Sequence, residues 1–62
     1  MIFEVTVSRH LFGNAVPLRA FSSQEEAWRL YELAAKNLKE GQTAYLLGHE
    51  GNSVHILAYK TI

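Results

Sequence analysis

One helical segment, FSSQEEAWRLYELAAKNLKEG (residues 21–41), stands between two pairs of alternating segments, and this layout constrains the fold most. Ser22 with Glu25, or Ser23 with Glu26, makes a capping box that satisfies free amides of a first helical turn. Acidic residues fall in that first turn and Lys36 and Lys39 in the last, as the helix dipole favours. Gly41 suits the position just past the C-terminus. Ala27, Leu30, Tyr31, Ala34 and Leu38 form one apolar stripe at helical spacing, flanked by Trp28 and Ala35. Leu33 sits away from the stripe, beside exposed positions. Glu25 with Arg29, and Glu32 with Lys36, pair across one turn on the opposite side.

On either side the period changes from helical to two. In IFEVTVS (2–8), Phe3, Val5 and Val7 share one face. AVPLRAF (15–21) alternates as well, and Pro17, lacking a donor, assigns that strand to a sheet edge. Gly13 and Asn14 supply the turn between them. TAYLLGH (43–49) and SVHILAYKT (53–61) are two further strands, joined by Glu50, Gly51 and Asn52. GNAV (13–16) and GNSV (51–54) recur, but their flanks differ, so shared turn chemistry explains them better than duplication. The expected fold class is α+β: one domain over residues 1–62, a four-stranded, mainly antiparallel sheet with one helix on one face (ββαββ).

Sixty-two residues bury only about 60% of the surface an unfolded chain exposes, so a domain of this size needs an efficient core or a partner. There is no cysteine, which removes disulfides and thiolate metal sites. Six basic residues balance six acidic ones, and aspartate is absent. A phosphate-backbone binder carries a basic excess, which this chain lacks. Neutrality also weakens self-repulsion. The start, MIFEVTV, shows no basic region before an apolar run, and no apolar run has membrane-spanning length. The expectation is a soluble, cytoplasmic protein.

HEGNSVH (49–55) invites a metal or catalytic reading. Zinc needs three or four converging ligands. A two-residue turn puts His49 and His55 on opposite faces, whereas a three-residue turn with a bulge puts them on the same face. His10, on the other hairpin, would join only if the two loops met. A hairpin turn flanked by polar strand ends is the preferred reading. For catalysis there is no cysteine nucleophile, no aspartate to orient a histidine and no glycine-rich phosphate loop. No cofactor, metal or catalytic residue is assigned.

One helix covers one sheet face, so the strands decide what the other face presents. With a regular two-residue hairpin, Tyr45, Leu47, Val54, Ile56 and Ala58 share one face, and Ala44, Leu46, His55, Leu57 and Tyr59 the other. The first set, richer in branched aliphatics, is expected as core. Leu46, His55, Leu57 and Tyr59, with Thr6 and Arg19 nearby, then form an open contact face. The opposite assignment would expose Tyr45, Leu47 and Ile56 instead. Trp28 and Leu33 supply a second candidate surface, although a tryptophan there more often rims a core. The last strand is the longest and most apolar, so order 2-1-4-3 is expected, with 2-1-3-4 the alternative. Either leaves an edge free for sheet extension into a homodimer. Tyr59, His55, Arg19 and Lys60 also suggest stacked bases, the pattern of a single-strand binder.

FSSQEEAWRLYELA followed by AYLLGHEGNSVHILAY resembles, over residues 21–59, many very small ββαββ proteins of bacteriophages and mobile elements. Their helix often opens with Phe-(Ser/Asp)-x-x-Glu-Glu-Ala, and their last hairpin often carries a turn glycine. Several that are understood bind and block a host protein, anti-CRISPR inhibitors among them. The resemblance implies such an inhibitor, working in a host cytoplasm, and carries over no site residue, because the class shares no site motif.

The expectation is therefore a non-catalytic protein-binding module that pairs with itself and with a protein partner, acting by steric block. The alternative is a single-stranded nucleic-acid binder or small regulatory protein using the open face. An enzyme with a site between subunits ranks last.

Overall fold

The computed structural model describes residues 1–8 and 15–62, and for residues 15–17 the backbone alone. Its elements are β1 (Ile2–Ser8), β2 (Ala15–Phe21), α1 (Gln24–Lys36), β3 (Thr43–Glu50) and β4 (Ser53–Thr61). They form an antiparallel four-stranded sheet with α1 on one face, the α+β ββαββ arrangement. The expected turn at Gly13-Asn14, and His10, lie outside the described residues.

The helix begins where its sequence dictates. Ser23 is the N-cap, in extended conformation, and its hydroxyl accepts from the Glu26 amide at 3.4 Å. Arg29 reaches Glu25 at 2.7 Å on the exposed side. The helix ends earlier than Gly41 suggested. Asn37 caps it, donating from its side chain to the Leu33 carbonyl at 2.8 Å. Gly41, with φ of 86°, instead serves a separate turn in which the Gln42 amide donates to the Lys39 carbonyl at 3.0 Å. A positive φ at the third position of such a turn is what glycine permits.

Strand order is β2-β1-β3-β4, which corrects the expected central position of the last strand. β3 lies inside and β4 forms an edge. The other edge is β2, as Pro17 required. Eight of the nine β4 residues are exposed, and only Ala58 is partly covered. The apolar character of β4 therefore does not mark burial.

The core lies between α1 and the two inner strands. Phe3 and Val5 from β1, Ala44 and Leu46 from β3, and Ala27, Tyr31 and Ala35 from α1 are its buried apolar members. Val7, Phe21, Trp28, Leu30, Ala34, Leu38 and Ala58 pack around them. The helix stripe is close to the expected one, with Ala35 drawn into its centre. The strand contribution is the reverse of the expectation: Ala44 and Leu46 meet the helix, and Tyr45 and Leu47 do not. Leu46 and Val5 are the largest fully buried side chains, directly opposite each other on β3 and β1. Small residues (Ala27, Ala35, Ala44) line the contact and let the helix settle close to the sheet.

Candidate binding surface

The surface is set by one irregularity. Along β3 and β4, Leu46 faces Ala58 while Leu47 faces Ile56, so Leu57 is an extra residue on β4. This is a β-bulge, and it changes the face to which the following residues point. Before it, Val54 and Ile56 share the face of His49 and Leu47; after it, Tyr59 shares the face of Tyr45. The face away from α1 thus collects Ile2, Tyr45, Leu47, Val54, Ile56 and Tyr59. Ile56 and Tyr59 are 61% and 67% exposed. The Tyr45 and Tyr59 rings lie 6.5 Å apart with planes tilted by 31°.

Polar groups border this patch. His49 Nε2 lies 2.9 Å from Glu4 Oε1, joining β3 to β1 beside Ile2 and Leu47. The Thr43 and Thr61 hydroxyls meet at 3.0 Å beyond Tyr59. Thr6, opposite Tyr45, is buried, and its hydroxyl has no hydrogen-bond partner among the described residues.

The residues assigned from sequence are dispersed. Of Leu46, His55, Leu57, Tyr59, Arg19, Trp28 and Leu33, only Tyr59 stands on the open face. Leu46 is fully buried in the core. His55 pairs with Gly48 and Arg19 with Val5, which puts both on the helix side of the sheet. Leu57 also turns to that side: a Cβ at Gly48 would lie 3.3 Å from Leu57 Cδ1 and 3.1 Å from Met1 Sδ. Trp28 packs edge-on against Tyr31 at 5.5 Å, 86° between planes, and rims the core. Leu33 is exposed and lines a shallow cleft with Arg19, Phe21, Glu26, Arg29 and Leu30. There the Arg19 guanidinium stacks over Phe21 at 5.1 Å.

The base-stacking set is divided in the same way. Lys60 pairs with core-facing Ala44, so it joins His55 and Arg19 on the helix side, away from Tyr59. The opposite face assignment, which exposes Tyr45, Leu47 and Ile56, is the one found, and Ile2 and Val54 join them on that face. Their alternation was visible, and the bulge that adds Tyr59 to them was not.

HEGNSVH closes through a two-residue turn, with Glu50 facing Ser53. Gly51 has φ of 58° and Asn52 a negative φ, as a type II′ turn requires. His49 faces Val54 and His55 faces Gly48, so the two imidazoles lie on opposite faces of the sheet. Among the described residues no group of three His, Asp or Glu side chains is placed to hold a metal ion. No described helix is long and apolar enough to cross a membrane. Burial pushes the Tyr31 phenol above the ordinary tyrosine value.

No protein-family model matches this chain, and neither a curated protein nor a solved structure does.

Proposed function

We propose that this chain is a non-catalytic protein-binding module whose contact surface is the open sheet face. The reading rests on one observation: Tyr45, Leu47, Val54, Ile56 and Tyr59 are neighbours on β3 and β4 on the face away from the helix, with Ile2 beyond the His49–Glu4 pair. A contiguous exposed apolar patch rimmed by polar residues marks an interaction site. The patch also has the anatomy of an interface, with tyrosines and branched aliphatics at its centre and Glu4, His49, Thr43 and Thr61 around it.

The resemblance to small phage and mobile-element proteins extends this to an inhibitor of a host protein, in the manner of anti-CRISPR proteins. The mechanism is steric: the flat apolar face covers a partner surface and excludes its natural ligand. The test is capture of binding proteins by the wild-type chain and by Ile56→Glu, followed by reconstitution with each purified candidate. A partner that binds the wild type and loses at least tenfold in affinity with Ile56→Glu supports the reading. A partner bound equally by both places the contact elsewhere.

A further inference from the structure

We propose that two copies of this chain join their β4 edges, antiparallel about a two-fold axis, into one continuous sheet. The pairing uses the β4 edge beside the surface described above and leaves the open face itself free for a partner. The two sheet edges differ. β2 carries Pro17 and a register break at Val5–Thr6, devices that blunt an edge. β4 has nine residues, no proline, and Lys60 as its one charged residue. At about 3.4 Å per residue it runs roughly 30 Å, the 31 Å length of the molecule. β4 carries its own bulge at Leu57, so the unprotected part of this edge is Ser53–Ile56, and that stretch is a template for another strand.

Glu50 and Ser53 close the hairpin, so the alternation of antiparallel ladders turns the amide and carbonyl of Val54 and Ile56 away from β3. Val54 of one copy opposite Ile56 of the other, with His55 on the axis, satisfies these groups reciprocally. The same residues carry the open-face side chains, so pairing joins the two apolar patches edge to edge. The net charge of zero offers no long-range repulsion.

A standard interface buries about 800 Å² per partner. With His55 on the axis, residues 53–57 of the two strands overlap, so the contact is smaller than that standard and the association expected is weak. Two-fold pairing uses both β4 edges and leaves only the proline-blunted β2 edges outside, so assembly stops at two.

The test is solution mass by sedimentation equilibrium from about 10 µM to about 1 mM, where a Kd in that range is visible. The expected mass rises from 7.0 kDa toward twice that value. Ile56→Pro removes an outward amide without breaking a bond to β3, and it is expected to stay monomeric with an unchanged helix signal. Leu47→Glu, on β3 and away from the edge, is expected to remain dimeric. Hydrogen exchange gives a readout needing no variant: the Val54 and Ile56 amides gain at least tenfold protection at the high concentration. A 7.0 kDa mass throughout overturns the proposal. So does a dimer that survives Ile56→Pro and dissolves with Leu47→Glu, which would mean stacked faces. Neither result touches partner capture, so the wider reading stands or falls separately.

Discussion

Tyr45 and Tyr59 stand opposite each other on β3 and β4, ring centroids 6.5 Å apart, on the sheet face that the helix leaves open. Without Leu57 as an extra residue, Ala58 would take that place opposite Tyr45. The bulge therefore exchanges a small residue for an aromatic on the open face and gives Ala58 to the core beside Leu46. One residue of local backbone chemistry decides both the packing and the surface.

Leu46→Ala is expected to be the most damaging of the simple truncations. Leu46 is fully buried against Val5, and comparable changes cost about 2–5 kcal/mol. For so small a domain that is most of its stability. Leu33→Ala, at an exposed helix position, is expected to stay within about 0.5 kcal/mol of wild type. Urea unfolding followed by circular dichroism measures both.

Gly51→Ala tests the hairpin turn. Nothing lies near an added Cβ there, so the penalty is conformational, from φ of 58°. It is expected to cost about 1–2 kcal/mol, seen as a lower unfolding midpoint at constant m-value. No change would mean that Gly51 does not hold a left-handed conformation.

Ser23→Ala removes the hydroxyl that accepts from the Glu26 amide, at an expected cost of about 1 kcal/mol. Ser22→Ala is expected to cost much less, because Ser23 is the cap. The pair of unfolding curves distinguishes the two capping boxes that the sequence offers.

Tyr31 makes the fold sensitive to alkali. Its phenol is raised above 10.0 by burial, so above that pH the unfolded chain loses a proton that the folded chain keeps. Stability from this group is complete below pH about 10 and falls as pH rises above it toward the folded value. Tyr31→Phe is expected to flatten that fall in unfolding measurements between pH about 9 and 11. An unchanged profile would assign the alkaline loss to other groups.

Much of the fold is legible in the sequence. The helix start, its stripe and the strand boundaries follow from caps and periodicity, because those signals are local. Strand order is not local. β4 looks like a central strand because Val54, Ile56, Leu57 and Tyr59 are apolar, yet they are divided between two faces and mostly exposed. The apolar residues of β3 serve both faces too, so counting branched aliphatics favours Leu47 over Leu46 as core. What decides the matter is Gly48 and Ala44, small residues on either side of Leu46 where the helix layer and the Met1 and Leu57 side chains come close. The Leu57 bulge leaves no composition signal, and the contact surface depends on it.

The most direct test of the account is Ile56→Glu, measured for stability and for association on the same sample. Ile56 lies on the open face, so the variant keeps its helix signal and its unfolding midpoint as a monomer, and it loses partner binding and weakens self-association. A variant that unfolds even where the wild type is monomeric would place Ile56 in the core. One that folds and binds its partner like wild type would mean that the open face is not a binding surface.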